Sequence, residues 1–224
     1  MRRPAYRGVL FDLDGTLADT APDLIAALDH VRGVLNLPPA DSGELRAMAS
    51  RGAVSILDAG LPELAAENRS AHRERFLDFY RANCWTHSRP FDGIETLLGA
   101  LDEHSLPWAV VTNKLESLAR PVLEQAGWLD RVACLVAGDS GERPKPAPDP
   151  VLLACRKLGL EPREILFVGD DRRDIIAGQA AGAATAVALW GYIAEFEDPR
   201  EWNADWMIER PGDLHSALFE AAER

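Results

Sequence analysis

Two aspartates, Asp12 and Asp14, stand two residues apart immediately after the apolar run Gly8-Val9-Leu10-Phe11. Alternate residues of an extended chain point to one side, so both carboxylates can face a single site. Carboxylates that close repel one another unless a cation or a proton intervenes. Asp170, in Gly169-Asp170-Asp171-Arg172-Arg173-Asp174, adds a third. A hard, all-oxygen set of this kind (Asp12, Asp14, Asp170) suits Mg²⁺ better than zinc. A metal bridging Asp12 and a phosphoryl oxygen would reduce the repulsion between two anions. Asp12 then attacks phosphorus as a nucleophile and forms an aspartyl-phosphate. Asp14 protonates the leaving alcohol and later deprotonates the attacking water. Thr112 offers a hydroxyl and Lys145 a point charge to the phosphoryl oxygens. Gly15 lets the backbone turn tightly and present amides to the substrate, and Asn113 is a further substrate-binding candidate.

These residues fall just after apolar runs or in the loops that follow them. Comparable runs are Trp108-Ala109-Val110-Val111, Val132 to Val136, Ile165-Leu166-Phe167-Val168 and the weaker Thr185 to Leu189, with Met207-Ile208 as a short edge strand. Continuous short apolar runs predict strands buried on both faces. Between them lie helical patterns at 93–104, 116–126, 148–158 and 172–181, and a closing helix at 213–222. The alternation predicts an α/β fold, a Rossmann-like doubly wound parallel sheet. The carboxyl ends of its strands line one crevice, which brings the four polar segments together.

Residues 17–88 break this rhythm and read as helices without strands. Leu24, Leu28, Val31 and Leu35 mark one amphipathic face, with Thr20 as N-cap and Asp23 completing a capping box. Pro38-Pro39 ends that helix, Asp41 caps the next, and one long helix is expected from Pro62 to about Asn83. The expected organisation is therefore a catalytic core, residues 1–16 and 89–224, interrupted by an all-helical cap, residues 17–88.

Composition narrows the partners. The net charge of −12 disfavours nucleic acid and anionic membranes. No run approaches the roughly 20 apolar residues of a bilayer span, and the basic lead-in to Gly8 has too short an apolar stretch for a signal peptide. Cys84, Cys134 and Cys155 form no paired motif, as expected of reduced thiols in a cytoplasmic protein. The expected partner is a small phosphomonoester, bound by a monomer or homodimer.

The four segments, Phe11-Asp12-Leu13-Asp14-Gly15-Thr16-Leu17, Val111-Thr112-Asn113, Lys145-Pro146-Ala147-Pro148-Asp149 and Val168 to Asp174, resemble in order and spacing the motifs of the haloacid dehalogenase superfamily. The helical block sits where that family carries a C1-type cap. The resemblance implies that Asp14 contacts magnesium through its backbone carbonyl. It also implies a phosphatase rather than a dehalogenase, since dehalogenases lack the second aspartate. Within the superfamily the chain is similar to the phosphoglycolate phosphatase group. Cys84 to Gly93, Trp108 to Lys114, Gly191-Tyr192-Ile193 and Trp202 to Asp205 resemble the phosphatases of N-acetylmuramic acid 6-phosphate, which implies a role in peptidoglycan recycling. Arg51 departs from the family's smaller residue and is expected to close over the phosphate or meet a substrate carboxylate.

Each assignment has a plainer counterpart. Lys145 between prolines could be a solvated loop lysine. Asp174 could serve only the first turn of its helix, or it could orient Lys145 and a metal-bound water. Asp171 and His87 read more readily as structural. A phosphosugar mutase would use the same nucleophile but return the phosphoryl group. A receiver-like phosphoacceptor module shares the acidic cluster, hydroxyl and lysine, yet needs only about 120 residues and no helical insert.

Overall fold

The computed structural model describes residues 6–49, 52–64 and 66–219. Its centre is a parallel six-stranded sheet in the order β5-β4-β1-β6-β7-β8, built from β1 (Gly8–Phe11), β4 (Trp108–Val111), β5 (Leu135–Val136), β6 (Ile165–Gly169), β7 (Ala184–Ala188) and β8 (Trp206–Ile208). Strand β1 lies between β4 and β6, in register Val9 with Trp108 and with Leu166. Alternation explains its unbroken apolar run. Val9, Phe11, Trp108, Val110, Leu166 and Val168 pack into one buried cluster, whereas Leu10, Ala109, Val111, Ile165 and Phe167 pack into another on the opposite face. Each fully buried side chain of this size contributes roughly 1.5–3 kcal/mol.

Helices α6 (Ile94–Glu103), α7 (Glu116–Gln125), α8 (Asp149–Leu158), α9 (Arg172–Ala181) and α10 (Pro211–Phe219) flank the sheet, close to the expected ranges. One strand is shorter than its apolar run. Val132 and Arg131 donate their amides to the Trp128 carbonyl, so the turn that follows Gly127 (φ +73°) consumes the first part of 132–136.

The segment between the first two motifs is helical, with α1 (Ala21–Val34), α2 (Ser42–Arg46), α3 (Ala53–Gly60), α4 (Ala66–Ser70) and α5 (Arg73–Asn83). Leu24, Leu28 and Val31 are buried where α1 packs on α5, as their spacing predicts, and Asp41 accepts from the Gly43 amide as N-cap of α2. Four expectations need correction. The block is bounded by two short antiparallel strands, β2 (Ala18–Asp19) and β3 (Arg89–Pro90), too brief to show a period. The expected 62–83 helix breaks into α4 and α5 at a turn around Ala71-His72, where neither glycine nor proline marks it. Helix α1 ends at Val34, before Pro38-Pro39, with Asn36 in the left-handed region (φ 57°). Thr20 precedes α1 but makes no side-chain cap, since its hydroxyl donates to Asp14 at 2.5 Å. Asp23 instead accepts from the His87 amide (2.9 Å), the Ser88 amide (2.8 Å) and the Ser88 hydroxyl (2.6 Å), pinning α1 to the chain that returns to the sheet. No helix among the described residues is long and apolar enough to cross a membrane.

Candidate active site

The carboxyl ends of β1, β4 and β6 converge, and the loops beyond them carry the polar segments. Asp12 follows β1, its amide held by the Val168 carbonyl at 2.9 Å and its Oδ1 accepting from the Leu13 amide at 2.7 Å. Lys145 reaches the same point from the loop before α8. Its Nζ lies 3.0 Å from Asp12 Oδ1 and 2.7 Å from Asp174 Oδ1, and donates to the Val111 carbonyl at 2.8 Å. Burial alone would pull this lysine down, but the two carboxylates outweigh it and hold Lys145 above the ordinary lysine range. The solvated-loop reading of Lys145 is therefore excluded.

Asp170 follows β6. Its Oδ1 accepts from the Thr16 hydroxyl at 2.8 Å and its Oδ2 from the Tyr192 amide at 2.9 Å. Both loops must come close. A Cβ on Gly191 would stand 2.2 Å from the Asp170 Cβ, and one on Gly15, at φ +86°, 2.1 Å from Asp170 Oδ2. The Gly15 amide, expected to face substrate, donates instead to the Ala18 carbonyl at 3.0 Å, because the tight turn closes on itself.

Asp174 both serves the first turn of α9 and meets Lys145. Its Oδ2 accepts from the Asp171 amide at 3.1 Å, reciprocating Asp171 as N-cap of α9, while Oδ1 faces Lys145. Burial pushes its carboxyl well above the usual carboxylate range against the pull of Lys145, with Asp12 and Asp170 adding repulsion. Oxygens of Asp12, Asp170 and Asp174 all lie within 4.8 Å of one another. Three buried carboxylates lie together, two of them on one ammonium, a concentration of acidic groups that a hard divalent cation would relieve. The residues thus fit an Mg²⁺-type ion. Asp12 and Asp170 are the candidates to hold it, with Asp174 beside them, its Oδ1 ion-paired to Lys145 but without a hydrogen-bond partner.

Asp14 points elsewhere. Lys114 Nζ approaches its two oxygens at 3.0 and 3.1 Å and sits 4.5 Å from the centroid of the Tyr80 ring on α5. The motifs assign Lys114 no role, and its place directly after Thr112-Asn113 is the one sequence signal that marks it. Asn113 lines the cavity, yet its amide group is engaged in both directions with the Lys145 backbone, at 2.9 Å each way. It clamps the lysine's loop. His87 is exposed, with its amide held by Asp23. Arg51 lies outside the described residues, although its neighbours Gly52 and Ala53 line the cavity.

That cavity, about 200 Å³, has Asp12, Asp14 and Thr112 on its floor and is walled by the helical block above. Tyr192, which the sequence marks only through the resemblance of Gly191-Tyr192-Ile193, donates its hydroxyl to Asp19 at 2.8 Å and accepts from the Ala21 amide at 2.9 Å, tying the loop beside Asp170 to β2.

The haloacid dehalogenase-like hydrolase family model matches residues 9–188. The chain is 42% identical to an N-acetylmuramic acid 6-phosphate phosphatase of Pseudomonas aeruginosa, over 99% of this chain and 98% of that one. It is 41% identical to a phosphoglycolate phosphatase of Xanthomonas campestris pv. campestris, over 96% of each. A crystal structure of a predicted phosphoglycolate phosphatase from Haemophilus somnus superposes with a TM-score of 0.85 at 29% identity, covering 94% of this chain and 96% of that one. With sheet order, motif positions and near full-length relatives in agreement, the chain is an enzyme, a phosphatase, and belongs to the haloacid dehalogenase-like hydrolase family.

Proposed function

We propose that the chain is an Mg²⁺-dependent phosphatase of N-acetylmuramic acid 6-phosphate, acting in peptidoglycan recycling in the cytoplasm. The observation that carries the chemistry is Lys145 bridging Asp12 and Asp174 beside Asp170, at one end of the central strands. The substrate follows the relative that is 42% identical over nearly the whole chain.

Asp12 is the nucleophile. Its Oδ1 is fixed by the Leu13 amide and Lys145, which aims the carboxylate at phosphorus. Asp12, Asp170 and the Asp14 carbonyl would hold a Mg²⁺ ion, which would supply charge neutralisation at the phosphoryl oxygens. Lys145 and the Thr112 hydroxyl hold those oxygens as charge shifts during transfer. Asp14 delivers a proton to the departing sugar oxygen and later takes one from the water that cleaves the aspartyl-phosphate. Lys114 and Thr20 position it until substrate enters. Residues 17–88 act as a cap that excludes bulk water.

The test is phosphate release, with Mg²⁺, from N-acetylmuramic acid 6-phosphate, phosphoglycolate and hexose phosphates. The muramic substrate should have the highest kcat/KM, and Asp12→Asn should bring release to background with the fold retained. A large preference for phosphoglycolate, the substrate named for the 41% identical relative, would overturn the substrate assignment. Parental activity in Asp12→Asn would overturn the mechanism.

A further inference from the structure

The cavity above Asp12 is lined by three cationic side chains, Lys114, Arg173 and Arg73. The first two are engaged. Lys114 is paired with Asp14, and Arg173 with Asp171, Nε to Oδ1 at 2.9 Å. Arg73 has no acidic partner among the described residues, in a chain carrying 36 Asp and Glu against 24 Lys and Arg. Its position does not serve its own helix either. Arg73 is the first residue of α5, where the helix dipole favours an acid and a cation costs stability. Arg73 is exposed over much of its side chain, yet it also lines the space above Asp12 that would receive the substrate.

The rest of the wall is apolar. Leu24, Leu77 and Leu118 are buried side chains that line the cavity together with Leu115. A phosphomonoester seated on Asp12 would have its phosphoryl charge met by Lys145 and by the cation that Asp12 and Asp170 would hold. Its alcohol portion leaves past Asp14 and runs along these leucines towards α5. A second cation on that side calls for a second anion on the substrate. Resting on the phosphatase reading above, we propose that Arg73 is a specificity-determining residue that recognises a carboxylate on the alcohol being released. A planar guanidinium can engage a carboxylate through two parallel hydrogen bonds, which an ammonium cannot reproduce. The substrate class is then a phosphorylated hydroxy acid or acidic sugar, rather than a neutral sugar phosphate.

Matched substrates test this. N-acetylmuramic acid 6-phosphate and phosphoglycolate carry a carboxylate; N-acetylglucosamine 6-phosphate and p-nitrophenyl phosphate do not. In the parent, kcat/KM should favour the carboxylated pair. Arg73→Met should lower that preference about 10- to 100-fold, mainly through KM, and Arg73→Lys should recover only part of it. Equal losses on both pairs would mean a structural or phosphate-contacting role and overturn the proposal, as would an unchanged preference. A parent that prefers the neutral pair overturns the Arg73 assignment while leaving the phosphatase reading intact. Release from none of the four overturns that reading, and the proposal with it.

Discussion

Replacing Lys145 by Met keeps an unbranched side chain of similar length while removing the only cation between Asp12 and Asp174 among the described residues. The lysine's side chain is fully enclosed, so solvent screening does not dilute the effect. Removing one partner of a buried ion pair costs about 3–5 kcal/mol, because the remaining charge is stranded. The Val111 carbonyl, 2.8 Å from Nζ, loses its donor as well, and that loss overlaps the first. For a chain of this size about 2–4 °C of Tm accompanies each kcal/mol, so metal-free Lys145→Met should melt roughly 6–20 °C below the parent. The stranded carboxylates should bind a divalent cation more avidly, so MgCl₂ should raise the variant's Tm by more than the parent's. Saturation at about 100 times Kd corresponds to about 2.7 kcal/mol. Differential scanning calorimetry at pH 7.5, in EDTA and in MgCl₂, reads both quantities. The alkaline limb supplies the sign. A lysine raised by folding stabilises fully below its unfolded value near 10.5 and loses that contribution as pH climbs through the folded one. The parent should therefore lose stability above about pH 10.5 faster than the variant does. A metal-free Tm within 2 °C of the parent, or a magnesium shift no larger than the parent's, would refute the electrostatic account.

Two further outcomes follow from burial. Asp23→Ala leaves the His87 and Ser88 amides and the Ser88 hydroxyl without their acceptor at a site 1% exposed, and should cost about 3 kcal/mol, read as a fall of about 6–12 °C in Tm. A fall below 2 °C would show that the anchor is dispensable. Burial pushes the Cys155 thiol up to about 11, so at pH 8 only about 0.1% is thiolate. Iodoacetamide should spare Cys155 in the native protein and label it in urea, as peptide mass spectrometry would record; native labelling at the rate of a free cysteine would contradict the burial.

The sheet was legible because strands buried on both faces write continuous apolar runs, and because the polar segments follow them. That pattern places Asp12, Lys145 and Asp170 together without any knowledge of the turns. The helical block was read with less precision. Its boundary strands are two residues each, and the break between α4 and α5 has no glycine or proline to announce it. Thr20 and Asp23 illustrate a different failure. Their spacing fits a capping box, but tertiary partners 64 and 65 residues away claim Asp23, and Asp14 claims Thr20. Arg73 left no local mark at all, since an arginine's pairing state depends on which acids the fold brings near it. Gly15 was recognised as a turn residue, yet the destination of its amide depended on Ala18 closing the same turn.

The pairing of Ala18 with Pro90 and Asp19 with Arg89 has a topological consequence. The chain leaves the sheet and returns to it on adjacent antiparallel neighbours, whose Cα atoms stand about 4.5–5.5 Å apart. A gap that narrow is one a two-residue hairpin can bridge. Everything between the two points is thus a cassette, threaded through one doorway, whose length and shape leave the order of the sheet strands untouched. A change in its length or shape is therefore geometrically compatible with an unchanged centre.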